Sequence, residues 1–438
     1  MPRQGTKGVT PALPASYNLT WRLVKPILGH ILRRRAKQGK EDPDRLSERY
    51  GLYQTPLPKQ AIWIHAVSVG EAVAGLSLIE ALAARNPSQP FIITTNTVTA
   101  ARLADNWTTG ANLTHLYQPL DHPLYVDRFL EESAPMAAIF MESDFWPNLI
   151  TRAARRDIPV IFASSQISDV AAARWRRRPG LAAAVFGAAE LVLAVNDKQA
   201  GRLCNLGARA ETTHNVGSLK LASGGMKTDP GLMAALKQAA GKRRIFLAAS
   251  THEGEDLSVI KASHALGDGW FTLLAPRHPK RGGSIAALYQ DVMPGATAPT
   301  RRALDQSPAA GEMIHIVDTL GEMGSLFAVA DVVFLGGSRL PIGGHNPLEP
   351  AQFGLPVISG PHLAKNQAEF DGIREIGGVT DITSGDELAD AVRAGFLTGK
   401  AKQASESAMK SYAEGAGKRP AIAADYILKL LNDRTRSQ

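Results

Sequence analysis

The segment H-N-P-L-E-P-A-Q-F-G, His345–Gly354, gathers residue types suited to gripping an activated sugar nucleotide. It follows a glycine-rich run in which Gly336, Gly337, Gly343 and Gly344 let the backbone approach a ligand closely. Asn346 reads as a helix N-cap and Pro347 as the first helical residue, so the free N–H groups and dipole of that helix suit a phosphate. Glu349, one turn in, is placed to accept both hydroxyl protons of a ribose. The same residues also suit a plain helix start, with Glu349 stabilising the first turn and the glycines turning the chain.

Two further polar loops belong with this segment. P-R-H-P (Pro276–Pro279) holds Arg277 and His278 between prolines, and Arg277 can pair bidentately with a phosphate or carboxylate. S-T-H-E-G-E runs from Ser250 through His252 and Glu253 to Glu255. There Ser250 or Thr251 could instead cap the next helix, with Glu253 completing a capping box.

Earlier in the chain, V-G-E-A (Val69–Ala72) follows Ser68 at a sharp passage from strand to helix. Glu71 beyond Gly70 is placed to take a proton from an attacking hydroxyl, as a general base. A helix N-terminus favours glutamate too, and composition does not separate the two uses. M-E-S-D-F-W-P-N (Met141–Asn148) adds Glu142 and Asp144, suited to supporting the base or binding an acceptor, while Phe145 and Trp146 read as packing residues.

The elements that must position these loops alternate along the chain. Nearly continuous apolar runs at Ala61–Ser68, Phe91–Thr95, Ala137–Met141, Val160–Ser164 and Leu191–Val195 predict parallel strands covered on both faces. Helical stretches such as Gly75–Arg85 and Thr99–Asp105 lie between them. The pattern restarts with Ile245–Ala249, Phe271–Ala275, Met313–Val317, Val332–Leu335 and Pro356–Ile358, after a Gly- and Pro-containing linker at Ser223–Pro230. The fold class is therefore α/β, with two Rossmann-like parallel-sheet lobes facing a central cleft and functional residues just beyond each strand. The expected division is a basic segment over 1–50, an acceptor domain over 51–222, and a nucleotide-sugar domain over 223–438. The final helix is expected to pack back on the N-terminal domain.

At 438 residues, 44% hydrophobic and 21% charged, the chain is globular and large enough for two domains. One cysteine, Cys204, excludes a disulfide framework and a multi-cysteine zinc site. Residues 1–60 carry 12 Lys/Arg against 4 Asp/Glu, which equals the net charge of +8 for the whole chain. The body is thus neutral and a basic segment leads it, which suits an anionic surface. No cleavable signal and no clean membrane span precede it. Tyr17, Trp21, Val24, Leu28 and Ile31 recur at helical spacing, with Arg33, Arg34, Arg35, Lys37 and Lys40 following. That is the pattern of a helix lying on a membrane, interrupted by Pro26; the alternative is a packing helix with a solvated basic end.

Taken together, H-A-V-S-V-G-E, E-S-D-F-W-P-N, S-T-H-E-G-E, P-R-H-P and G-G-H-N-P-L-E-P resemble the 3-deoxy-D-manno-octulosonic acid (Kdo) transferases of Gram-negative lipopolysaccharide synthesis. R-L-S-E-R-Y-G (Arg45–Gly51) resembles the same family's entry to its first lobe. The resemblance implies a GT-B glycosyltransferase moving Kdo from CMP-Kdo to a lipid A precursor, with inversion, on the cytoplasmic face of the inner membrane. It implies Glu71 as general base, a functional role for Glu142, and CMP contacts from Arg277, Asn346 and Glu349. Ser68, Gly70 and Asp144 then support the acceptor side; Ser250, His252, Glu253, His278, Gly343, Gly344 and His345 join the donor side. No metal or other cofactor is expected, since the family type lacks a D-x-D ligand pair.

The sequence departs from the family after the fourth strand of the first series. Gln166 and Val170 stand where arginines are usual, and Arg174, Arg176, Arg177 and Arg178 follow closely enough to compensate. Two other readings compete. A GT-B hexosaminyltransferase using a UDP donor differs in which nucleotide it binds. A nucleic-acid-binding protein requires basic and aromatic residues interleaved through the body, which is neutral, in a chain only 6% aromatic.

Overall fold

The computed structural model describes residues 13–107, 110–220, 226–309 and 311–437; the start of the basic segment and of the expected linker lie outside them. The chain divides into two compact units, one formed by 1–222 with 416–438 and the other by 223–415. Each is built on one parallel sheet.

The first sheet contains β1 (Ile62–His65), β2 (Pro90–Thr95), β3 (Asn112–Tyr117), β4 (Ala137–Met141), β5 (Val160–Ser165), β6 (Ala189–Ala194) and β7 (Thr213–Asn215), in the order 3-2-1-4-5-6-7. The second contains β8 (Arg244–Thr251), β9 (Trp270–Pro276), β10 (Ile314–Ile316), β11 (Val332–Leu335), β12 (Val357–Ser359) and β13 (Val379–Asp381), in the order 10-9-8-11-12-13. Counted within each unit, the two orders agree through six strands, the doubly wound pattern. In both, the order reverses between the first and fourth strands, at β1/β4 and β8/β11. That switch point opens a crevice at the strands' carboxyl ends.

Alternation along each strand feeds two apolar layers. Trp63 of β1 packs edge-on to Phe129 at 4.7 Å and Phe140 at 5.2 Å on one face. Its neighbours Ile62 and Ile64 join Leu76 and Ile79 on the other. Fully burying one such side chain stabilises by roughly 1.5–3 kcal/mol. β3, β7 and β13 are absent from the expected strands. All three lie at sheet edges, where one-sided cover permits sequences such as T-H-N that lack a continuous apolar run. β1 is shorter than expected because Ser68 leaves the strand to cap the helix α2 (Val69–Ala83). The C-terminal helix Arg419–Ser437 places Ala423, Ala424 and Ile427 in the same apolar layer as α2, with Arg85 Nε 2.7 Å from Asp425.

The helix α1 (Ala15–Lys37) runs through Pro26, and its apolar residues divide differently from the expected stripe. Tyr17 and Leu28 turn inward, Trp21 and Val24 are half-buried, and Ile31 points outward. Leu19, Leu23, Ile27 and Ile31, four residues apart, form a second and exposed stripe, with Leu23 71% exposed. The expected stripe is thus largely the packing face. The inner face is tied down by polar contacts: Tyr17 OH donates to Asp121 Oδ2 at 2.7 Å, and Asn148 Nδ2 to Asn18 Oδ1 at 2.9 Å. Asp121 also accepts the amides of Asn148 and Leu149, satisfying the start of helix Pro147–Arg155. Among the described residues, no helix is long and apolar enough to cross a membrane.

Candidate active site

At the β1/β4 switch point the first unit presents carboxylates. Ser68 and Glu71 form a reciprocal capping box on α2, in which Glu71 Oε2 accepts the amides of Val67 at 2.6 Å and Ser68 at 3.3 Å. The structural use of Glu71 is therefore real, and both amides fall on one of its two oxygens. The residues before it, Ser68, Val69 and Gly70, are exposed, and a Cβ on Gly70 would meet nothing within 4 Å. Open surface borders the carboxylate.

Asp144 lies against Glu71. Burial, then the Glu71 charge and a hydrogen bond with it, then Glu142, push the Asp144 carboxyl well above the usual range. At neutral pH Asp144 carries a proton, because burial and adjacent acidic groups oppose its ionisation. Glu142 is buried and has a positive φ of 52°, in the left-handed region that a non-glycine residue enters at a cost. Lys220 Nζ at 3.0 Å and Gln166 Nε2 at 3.2 Å hold it. Gln166 thus orients Glu142. Lys220 was missed altogether, for it lies far along the chain after β7.

Three motif residues prove structural. His65 is wholly buried in β1, its Nδ1 2.9 Å from Thr94 Oγ1, and burial pushes its pKa down to about 3. Asn148 secures α1 and the Asp121 loop. Arg49 of R-L-S-E-R-Y-G is buried against Glu41 at 2.8 Å and donates to Gln118 O at 2.9 Å, fastening the entry segment to the sheet.

At the β8/β11 switch point the second unit presents two imidazoles and a half-buried glutamate, joined by an arginine from the end of β9. Ser250, next to last in β8, has a positive φ of 54°, and Gly336 approaches so closely that a Cβ there would fall 2.5 Å from Ser250 O. This contact requires glycine. His252 Nε2 and His345 Nε2 lie 2.9 Å apart, so one ring donates and the other accepts. Burial lowers both, His345 to about 4, with His252 and then Arg277 adding to it, so both are neutral at pH 7. Ser250, Arg277, His345 and Glu349 line a pocket of ≈ 250 Å³, closed on another side by residues 319–323 after β10. Burial pushes Glu349 up to about 7, against the pull of Arg277.

The remaining expectations divide. Gly343 and Gly344 adopt positive φ of 111° and 72° and carry the chain into His345, with Gly344 N donating to Gly337 O at 2.7 Å. Asn346 Oδ1 accepts Leu348 N–H at 3.1 Å, but the N-cap position falls to Pro347 rather than Asn346, so the helix begins one residue later than expected and spans only Leu348–Ala351. A single turn has too few aligned peptides for the expected dipole effect on a phosphate. Glu253 is exposed and lies outside the pocket lining. Neither Ser250 nor Thr251 caps the next helix; Thr251 Oγ1 donates to Asp256 Oδ1 at 2.8 Å. The inward glutamate is Glu255, which accepts the amides of His252, Gly337 and Arg339 at 2.9, 2.8 and 3.1 Å and so joins two loops. His278 is exposed outside that lining, its ring 5.9 Å from that of His252. No cluster of three or more metal-ligating side chains occurs among the described residues.

The family model of 3-deoxy-D-manno-octulosonic-acid transferase (kdotransferase) matches residues 44–223. The 3-deoxy-D-manno-octulosonic acid transferase of Haemophilus influenzae is 33% identical over 368 residues, covering 80% of this chain and 83% of its own. The chain belongs to the Kdo transferase family. Two solved structures share the fold alone. One is the UDP-GlcNAc 2-epimerase of Neisseria meningitidis bound to UDP-GlcNAc, 12% identical, covering 84% of this chain and 100% of its own, with a TM-score of 0.56. The other is the glycosyltransferase of kitacinnamycin, 16% identical, covering 86% and 100%, with a TM-score of 0.51. This Kdo transferase is thus a glycosyltransferase built from two parallel-sheet lobes of GT-B type.

Proposed function

We propose that the transferase moves Kdo from CMP-Kdo to a lipid A precursor of the lipid IVA type, in lipopolysaccharide biosynthesis. The observation that carries the donor side is the pocket in the second unit, where Arg277 and the half-buried Glu349 line one small space. Glu349 takes the ribose hydroxyls and Arg277 the phosphate. Ser250, His345 and Asn346 complete the donor's surroundings, and His252 and Glu255 hold those loops in place.

Transfer is a single displacement with inversion. The acceptor hydroxyl oxygen forms a bond to the Kdo anomeric carbon as the bond from that carbon to the CMP phosphate oxygen breaks. CMP departs with the electron pair and Arg277 meets its charge. Glu71 accepts the hydroxyl proton, and protonated Asp144 limits the negative charge beside it. No metal enters this scheme.

α1 places the enzyme on the membrane. Its exposed stripe Leu19, Leu23, Ile27 and Ile31, flanked by Arg22, Lys25, Arg33 and Arg34, suits the anionic interface of the inner membrane's cytoplasmic face.

Incubation with CMP-Kdo and a tetraacylated lipid A precursor, followed by mass measurement of the lipid, tests the reading. An increase by whole Kdo residues is expected. No increase, or stabilisation by UDP and UMP but not by CMP in a thermal-shift series, contradicts it and favours a UDP-sugar enzyme.

A further inference from the structure

The first unit holds a second cavity, of ≈ 520 Å³, that no step above uses. Tyr17 of α1 and the loop carrying Asp144 and Trp146 form one part of its lining. Arg174, Trp175, Arg177 and Arg178, at the junction of helices Asp169–Arg176 and Pro179–Phe186, form another. Three properties set it apart from an ordinary surface hollow.

Its arginines are uncommitted. Arg152 and Arg156 pair with Asp127, Arg202 with Asp169, and Arg434 with Glu190. Arg174, Arg177 and Arg178 are exposed, and none of the three guanidinium groups forms an ion pair with a described residue. Three cations around one cavity without a counter-ion repel one another, and an anion relieves that. Arginine's planar donor fork matches phosphate in particular.

The lining is also amphipathic. Trp146 and Trp175 are half-buried, and the Trp146 indole N–H has no hydrogen-bond partner. Indole offers an apolar face for a sugar ring and a donor at its edge. Finally, the cavity reaches the chemistry directly: Asp144 lines it and also contacts Glu71. The loop after β5 offers no competing anion site, since Gln166 is spent on Glu142 and Val170 is 63% exposed and uncharged.

We infer that this cavity receives the phosphorylated sugar headgroup of the acceptor lipid, with Arg174, Arg177 and Arg178 gripping a phosphate and Trp146 and Trp175 packing on the sugar. The inference rests on the function proposed above. It assigns acceptor selectivity to the α1-side cavity, with the arginine triad as the group that meets the phosphate.

The test uses the full chain, CMP-Kdo, and two forms of the acceptor, one phosphorylated and one enzymatically dephosphorylated. For the wild type, kcat/KM should favour the phosphorylated acceptor by about tenfold or more, carried by KM. The triple variant R174Q/R177Q/R178Q should erase that preference while leaving the KM for CMP-Kdo unchanged. Arg176→Gln, on the same helix but outside the lining, should change neither constant by more than about twofold, the range of a surface substitution. Inorganic phosphate at millimolar concentration should compete with the lipid in the wild type and not in the triple variant; inhibition without competition would mark free phosphate as a separate ligand and overturn the assignment. An unchanged preference in the triple variant overturns it, as does an equal loss in R176Q. Should the triple variant unfold in a thermal-shift assay, the three single replacements are read against the same two acceptors. Transfer by the wild type to neither acceptor would instead refute the function proposed above, whereas equal transfer to both refutes only this inference.

Discussion

The two units share one strand order and differ in what their switch points hold. At β1/β4 the chain places Glu71, Glu142 and Asp144; at β8/β11 it places His252, His345, Arg277 and Glu349. A carboxylate cluster is suited to taking protons and ill suited to holding an anion, while an arginine beside neutral imidazoles is the reverse. The same scaffold therefore supports two chemistries through the loops at its carboxyl ends. Both switch points also carry a non-glycine residue in the left-handed region, Glu142 and Ser250.

The largest expected effect separates the units outright. Glu71→Gln should slow single-turnover transfer by roughly 10²–10⁴-fold, the range of a lost general base. A loss under tenfold would remove the base from the first unit. Arg277→Ala is the counterpart. It should raise the KM for CMP-Kdo about 30-fold, the effect of one charge-assisted bidentate contact, and leave the KM for the lipid acceptor unmoved. A selective change in acceptor KM would dissolve the contrast.

A third prediction concerns protons on the donor side. In the free protein Glu349 titrates at about 7, and hydroxyl binding favours its charged form. CMP affinity should therefore weaken as pH falls from about 8 to 6, by up to tenfold beyond what the nucleotide's own phosphate causes. Glu349→Gln should remove that component. The same slope in both proteins would place the titration elsewhere.

The smallest effect is on stability. The folded pKa of Asp144 lies above its ordinary value of 3.8, so the native state binds more protons than the unfolded chain over that window. Its contribution to stability is lost as pH rises from the ordinary carboxylate range towards the raised value. Asp144→Asn should raise the melting temperature by a few degrees at pH 8 and make no difference at pH 4. A gain that persists at pH 4 would argue against the raised pKa of Asp144 as its cause.

The fold was largely legible in the sequence, and its gaps have physical causes. A-A-I-F-M predicts β4 to the residue because a central parallel strand must be apolar on both faces. T-H-N and V-T-D escape because edge strands are under no such demand. In α1 both stripes are apolar at helical spacing, so periodicity alone could not assign 17, 21, 24 and 28 to the packing face and 19, 23, 27 and 31 to solvent. The site follows the same pattern. Glu71 and Asp144 were legible because they follow strands that meet at a switch point. Glu255 was not chosen over Glu253, since only the folded loop decides which of the two turns inward to the amides of Gly337 and Arg339. Lys220 and Glu142 meet through tertiary structure, and no local signal connects them.

The contrast between the units is tested most directly by calorimetric titration of CMP into Glu71→Gln and Arg277→Ala beside the wild type. The expected result is a Kd within about twofold of wild type for Glu71→Gln and about 30-fold weaker for Arg277→Ala. Comparable weakening in both, or normal affinity in Arg277→Ala, would contradict the division of donor grip and proton transfer between the two switch points.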